Sequence, residues 1–407
     1  MTTRMRLPVL LLTALLAVPG LAAADAVTEW NEVAVATAAA GGHRAADGSR
    51  TTALVHAAIF DAANAIEARY APYKLTVPAP AGASPEAAVV AAAHAVLVRL
   101  YPDQKAQLDQ AYARSLGRIP EGEARTGGIA VGEKVGADMV AWRADDGASA
   151  PNTYRPVTTP GVYVVTTLPV SSQWGSVKPW VLQRGSQLRP GPPPALTSPE
   201  WVRDCKEIAE VGGKRSTVRT TDQTEIARFW TVVGPASWDP VLRAVAASPG
   251  RTLVQNARLF ALAEMAAADA YIAVFDAKYT FNLWRPITAI RNGDLHGGGA
   301  IGRVPDWEPL IDTPLHPEYP CAHCITSAAI AAVLEAEFGP ALPEVTMTSP
   351  AVPGAVRRWT SAKAFTDEVS AARIYGGIHY RTSTVVGQAM GRQIGEVAVQ
   401  QYLKPVR

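Results

Sequence analysis

Cysteine is scarce in this chain, with three residues in 407, too few for a disulfide scaffold. A surplus of charge of one sign is missing as well. Lys plus Arg total 38 and Asp plus Glu 36, a net of +2, which gives no electrostatic basis for a nucleic-acid partner. Beyond the N-terminal segment no stretch reaches the roughly 18 uninterrupted apolar residues of a spanning helix, so no stable membrane span is expected. No repeat of fixed period is apparent either. What is there is 48% hydrophobic and 18% charged, enough apolar material for a large core and too much for intrinsic disorder. Gly and Pro, 32 each, predict long irregular connections.

The N-terminus carries a separate signal. Arg4 and Arg6 precede an apolar run from Leu7 to Val18, followed by Gly20 and the small residues Ala22, Ala23 and Ala24. A basic start, a short apolar run and an Ala-x-Ala site read as a signal peptide over residues 1–24, with cleavage after Ala24 and a secreted or periplasmic product.

The rest reads as helix. Val27 to Ala40 and Thr51 to Tyr70 are Ala-rich with apolar residues at helical spacing. Ser84-Pro85-Glu86 and Ser198-Pro199-Glu200 each offer a capping hydroxyl, a proline in the first turn and an acid near the positive helix end. Between about Asp145 and Thr197, Pro, Gly, Thr and Ser dominate, and Pro192-Pro193-Pro194 forbids helix. Tyr163 to Leu168 is expected as a short strand, and Trp174 and Trp180 favour an arm packed on the protein over a solvated linker. A long apolar helix is expected from about Thr252 to Trp284. The fold class is therefore all-α: an N-terminal helical region over 25–145, a Pro/Gly/Thr-rich arm over 146–197, and a C-terminal helical domain over 198–407.

Three constellations in the last third could carry chemistry. In Lys278-Tyr-Thr-Phe-Asn-Leu-Trp-Arg285-Pro286, two cations seven residues apart lie within about 20° on a continuous helix, so one face would present both to an anion. Surface cations stabilising a helix C-terminus are the plainer reading. Pro317-Glu-Tyr-Pro320-Cys321-Ala322-His323-Cys324 opens an apolar helix. Its small residues leave backbone N–H groups free for an anion, with His323 beside them as a proton donor or acceptor. The Cys-x-x-Cys spacing also admits a redox pair, or half of a zinc site with His296 and His316. In Arg373-Ile-Tyr-Gly376-Gly377-Ile-His379-Tyr-Arg381-Thr-Ser383, two glycines permit a bend that brings Arg373 and His379 to one place.

Taken in order, Lys-x6-Arg-Pro, Pro-x-x-His and Arg-x5-His resemble the vanadium-dependent haloperoxidase and type 2 phosphatidic acid phosphatase superfamily. The motifs span Lys278 to Ser383, about a quarter of the chain. Less specifically, Val55-His-Ala-Ala-Ile-Phe-Asp-Ala-Ala-Asn64 and the Trp-containing arm are similar to bacterial haloperoxidase-like members. The resemblance implies an α-helical core around one oxyanion pocket holding vanadate or phosphate. Lys278, Arg285 and Arg373 would neutralise its oxygens, with Cys321 and the N–H of Ala322 beside them. His323 would be the acid–base residue, and His379 the axial ligand of vanadium, or the nucleophile of a phosphatase. His316 falls where similar enzymes place a residue near the halide; a surface-loop histidine is the equal alternative. Hydrogen peroxide and a halide, or a phosphate ester, are then the small-molecule substrates.

Two positions depart from the pattern. Cys321 stands for the usual serine and Ala322 for glycine; a thiol is a weaker donor and is itself oxidised by peroxide. Ser383 stands where an aspartate is frequent, so the carboxylate that would orient His379 is expected to be missing. The cysteine counts against an efficient peroxidase and the serine against an efficient phosphatase. A periplasmic oxyanion-binding protein with little turnover is the third reading.

Overall fold

The computed structural model describes residues 25–42 and 45–406; the expected signal peptide lies outside the described residues. The fold is all-α. Five helices come first: α1 (Ala26–Ala40), α2 (Ala45–Glu67), α3 (Pro85–Leu100), α4 (Lys105–Leu116) and α5 (Glu123–Trp142). After the arm follow α6 (Pro199–Val211), α7 (Thr221–Phe229), α8 (Pro235–Ala246), α9 (Leu253–Phe281), α10 (Pro286–Arg291) and α11 (Ala322–Phe338). Strands β1 (Val345–Ser349) and β2 (Val352–Trp359) form an antiparallel hairpin, and α12 (Ala362–Tyr375) and α13 (Arg381–Gln401) close the chain.

The caps act where the sequence places them. Ser84 Oγ accepts from Ala87 N, and Ser198 Oγ from Trp201 N. Thr252 starts α9 with a reciprocal capping box to Gln255. Helix α9 is the axis of the molecule: its residues from Leu259 to Ala277 are almost all buried. Helix α2 packs on one side of it and α11 on another, so the buried apolar side chains of the first and last thirds form one continuous cluster.

The arm is laid along α9. Trp174 and Trp180 are buried, and the Asp269 carboxylate on α9 accepts from the N–H groups of Trp180, Val181 and Leu182 at 2.7, 2.8 and 2.7 Å. The strand expected from Tyr163 to Leu168 does not form. One bridge pairs Val162 with Leu283, and Val164 and Leu168 are exposed.

A further difference decides how the cations meet. Helix α9 ends at Phe281, where Asn282 takes a left-handed conformation (φ 51°) and its N–H returns to Lys278 O. Arg285 is then extended (φ −80°, ψ 157°), because the ring of a following proline excludes the helical region. Lys278 and Arg285 therefore do not share a helix face. Lys278 projects from the last turn of α9, and Arg285 starts α10.

Candidate active site

Backbone turns bring the three constellations together. Gly377 adopts φ 79° between α12 and α13, and a Cβ there would stand 2.3 Å from Gly212 O. Only glycine makes this corner, which carries Arg373 on one side and His379 on the other. Along α13, Cβ atoms on Gly387, Gly391 and Gly395 would meet Cys321 O, Ile325 O and Ala329 O at 2.8, 2.0 and 2.3 Å. Their absence lets α13 lie against α11, and Cys321 N donates to Ser383 O at 3.2 Å.

Lys278, Arg285 and Arg373 are buried, and so is Glu318. Lys278 Nζ donates to Pro317 O (2.9 Å) and Glu318 O (2.7 Å). Arg285 is held on several sides: Nε to His316 O (2.8 Å), Nη1 to Ile378 O (2.9 Å) and His379 Nε2 (3.2 Å), and Nη2 to His316 Nδ1 (2.9 Å). Arg373 is under-used: Nη1 donates to Trp230 O at 2.6 Å, while Nε has no partner. Burial lowers Lys278 well below its ordinary range, with Arg285 adding repulsion. Burial likewise brings Arg285 down to about 10, and burial together with Arg285 brings Arg373 down to about 9.

The histidines are neutral by the same causes. Burial first, then Arg285 and Lys278, hold His379 well below 6.5, and burial and Arg373 do the same to His323. His379 Nδ1 lies 2.7 Å from Glu318 Oε1, so Nδ1 carries the proton and Nε2 a lone pair. His323 Nε2 is 3.1 Å from Val232 O, which puts its proton on Nε2 and leaves Nδ1 as acceptor. His316 Nδ1 lies between Arg285 Nη2 (2.9 Å) and Pro317 O (3.1 Å); burial and the neighbouring cations lower its pKa too.

A cavity of about 510 Å³ opens onto these groups, lined by His316, Ala322, His323, Arg373 and His379 and walled by apolar residues including Val170, Val233, Phe275 and Leu315. At the start of α11, Ile325 N bonds to Cys321 O and Cys324 N to Cys321 Sγ. The N–H groups of Ala322 and His323 have no acceptor among the described residues. Three buried cations thus face one buried carboxylate among the described residues, with two free N–H groups and an orphaned guanidinium N–H beside them. Such a site is short of negative charge. A tetrahedral oxyanion such as vanadate fits that donor set, and His379 Nε2 can supply a ligand's lone pair.

The sequence profile of the VCPO second helical-bundle domain matches residues 258–407, the segment that contains Lys278, Arg285, the 316–323 loop, Arg373 and His379. The solved structure of a bacterial vanadium-dependent iodoperoxidase superposes with a TM-score of 0.81 at 25% identity, over 94% of this chain and 97% of that one. The chain is vanadium-haloperoxidase-like. An apo-type bacterial vanadium-dependent chloroperoxidase (TM-score 0.71, 18% identity, 88% and 92% of the two chains) has the same fold. So does a holo-type bacterial vanadium-dependent chloroperoxidase (0.67, 18%, 94% and 93%). No curated protein sequence matches.

In this haloperoxidase-like chain three expectations change. Cys321 offers no thiol donor, because its sulfur is bonded to Cys324. The carboxylate expected to be missing at Ser383 is present from another position: Glu318 Oε1 accepts a hydrogen bond from His379 Nδ1–H and another from Tyr380 N at 3.0 Å. His296 belongs to a packing cluster, accepting from Trp201 Nε1 (2.8 Å) and bonding Ala289 O (2.8 Å), so it is no partner for a metal with Cys321 and Cys324. Sequence reasoning missed Glu318; the one signal that could have found it is an acid between Pro317 and Pro320, a residue type that is buried only with partners.

Proposed function

We propose that this chain is an exported, vanadate-dependent haloperoxidase-like enzyme that oxidises a halide with hydrogen peroxide. The observation that carries the reading is the buried excess of positive charge at the cavity floor, in a chain whose fold matches a bacterial vanadium-dependent iodoperoxidase. Export is supported by the residue 1–24 pattern and suits a disulfide, which persists in oxidising compartments.

Vanadate, when bound, supplies the electrophilic centre at which peroxide becomes able to oxidise a halide. The chain's own residues do the rest. Arg373 Nε, the remaining N–H groups of Lys278 and Arg285, and the N–H groups of Ala322 and His323 bind and neutralise the oxygens before any reaction begins. His379 Nε2, which accepts from Arg285 Nη1 at 3.2 Å, would exchange that bond for the anion's central atom, while Glu318 fixes the tautomer through Nδ1–H. His323 Nδ1 would serve as the base that holds the proton given up by peroxide. The apolar wall of Val170, Val233, Phe275 and Leu315 excludes water, and the His316 ring lines the same cavity, where a halide would meet it.

One observation favours a second reading, a phosphatase acting through a phosphohistidine. The Glu318 contact makes His379 Nε2 a better nucleophile, which such an enzyme needs. One experiment separates the readings: iodide and bromide oxidation beside phosphate-ester hydrolysis, each with and without added vanadate. Vanadate-dependent halide oxidation is expected. Ester hydrolysis that vanadate inhibits would establish the phosphatase instead, and neither activity would leave an oxyanion-binding protein.

A further inference from the structure

The Cys-x-x-Cys motif has no part in the chemistry above, yet it encloses the two free N–H groups. Cys321 and Cys324 are bonded to each other, both fully buried, and Cys205 is a buried free thiol. Cys321 is the N-cap of α11, and its Sγ accepts from Cys324 N at 3.2 Å. Between the two sulfurs lie only Ala322 and His323, whose side chains line the cavity. Gly387 presses on the same turn, where an added Cβ would be 2.8 Å from Cys321 O and 3.1 Å from Cys324 Cβ.

Sulfur is a weak hydrogen-bond acceptor, so a cysteine thiol is a poor N-cap next to the oxygen of serine or aspartate. A helix whose cap is weak frays at its first turn, and that turn here is the anion-binding one. The covalent bond removes the weakness: it fixes Cys321 Sγ over Cys324 N and closes the four-residue turn around the Ala322 and His323 amides.

We propose that the Cys321–Cys324 disulfide is a positioning device for the oxyanion site, closed by the hydrogen peroxide the site consumes. The proposal rests on the peroxidase reading for its oxidant and on the oxyanion cavity for its effect. The thiolate of one cysteine attacks a peroxide oxygen, the O–O bond breaks, and a sulfenic acid forms as the first water leaves. The second thiolate attacks that sulfur, the S–S bond forms and the second water leaves. Two thiols and one peroxide give one disulfide and two waters, with two electrons passing from sulfur to oxygen. A dithiol reductant reverses the sulfur chemistry by thiol–disulfide exchange, becoming a disulfide itself. In the closed form neither Cys321 nor Cys324 carries a thiol.

The test uses the full chain and inorganic phosphate, an anion that thiols do not reduce. Calorimetric titration is carried out on the oxidised protein, on protein reduced with dithiothreitol and desalted without air, and on that sample after hydrogen peroxide, with thiols counted each time. Reduction is expected to weaken phosphate about tenfold, the loss of one well-placed donor, and peroxide to restore the affinity together with the disulfide. Cys324→Ala is permanently open and is expected to bind like the reduced protein. The double variant Cys321→Ser, Cys324→Ala gives the cap an oxygen in place of sulfur and is expected to recover the affinity. A structural staple with no positioning role would not show that rescue. Equal affinity in the oxidised protein and in Cys324→Ala would overturn the proposal, as would a reduced protein that peroxide does not reclose. Failure of the oxidised protein to bind phosphate at all would instead overturn the oxyanion reading on which the proposal rests.

Discussion

Burial pushes the Glu318 carboxyl up to about 7, although Lys278 and Arg285 pull it down. A carboxyl kept in that position must work through what it touches, and Oε1 touches His379 Nδ1 and Tyr380 N. Glu318→Gln keeps the shape and an acceptor for Nδ1–H but removes the charge that makes Nε2 a strong donor of its lone pair. Binding through that lone pair should suffer while purely electrostatic binding should not. Vanadate affinity is therefore expected to fall by about 10- to 100-fold, and phosphate affinity to hold or rise. Parallel titrations with the two anions check this, and an unchanged vanadate affinity would remove Glu318 from the mechanism. At this scale the sequence was a partial guide. Lys278, Arg285, Arg373, His323 and His379 stood out by residue type and spacing. The carboxylate did not, because its expected place was Ser383 and the contact from position 318 exists only after the chain turns back. The bonded state of Cys321 was equally hidden, since four residues of sequence are compatible with two thiols, a metal site or a disulfide.

Helix starts were legible because serine, proline and acid act locally. The breaks that build the site were legible only in part. Pro286 marked a disturbance, but that it frees Arg285 from α9 altogether depends on Asn282 taking the left-handed cap. The β1–β2 hairpin follows α11 in a stretch whose alternation of buried and exposed residues along β1 emerges only against the helices it covers. The Gly376-Gly377 corner is where sequence and structure agree most closely. Gly377→Ala puts a side chain at φ 79°, 2.3 Å from Gly212 O, at a cost of about 1–3 kcal/mol for the backbone before the clash is counted. The variant is expected to melt several degrees lower and to bind phosphate at least tenfold more weakly, because Arg373 and His379 lie on opposite sides of the corner. Thermal denaturation and calorimetry read the two effects. A destabilised variant with wild-type affinity would show that the corner serves folding alone.

Across the whole molecule, burying charge is the recurring expense, and the first and last thirds share it. Asp239 on α8 accepts from Asn31 of α1 at 2.7 Å, and Glu264 on α9 from Thr52 of α2 at 2.5 Å. Burial and the Asp239 charge raise Glu264 well above 4.5, and burial raises Asp239 to about 6. The pair therefore holds a proton near neutrality. A raised folded pKa means that the native state binds more protons than the unfolded chain. The stability this confers is complete below about pH 4.5 and drains away as pH rises through the folded values. Glu264→Gln imitates the protonated acid at every pH. Relative to wild type its melting temperature is expected to be nearly equal at pH 5 and higher at pH 8, with up to ~1.4 kcal/mol of difference gained per pH unit. Buried His56, lowered to about 3 by burial, acts in the opposite sense in acid, so the difference between the two proteins is the quantity to read. A flat difference from pH 5 to 8 would show that Glu264 is ionised throughout. The same logic in the opposite sign defines the site, where the excess charge is positive. Arg373 tests it best, because Arg285 is tied into several backbone and histidine contacts and its loss would disturb the fold as well. The most direct measurement is a phosphate titration of wild type and Arg373→Ala, with melting curves of both in the absence of anion. The account predicts one site in wild type, no measurable binding in the variant, and a variant as stable as wild type or more so, since an underpaired buried cation has gone. Wild-type phosphate affinity in Arg373→Ala would contradict it.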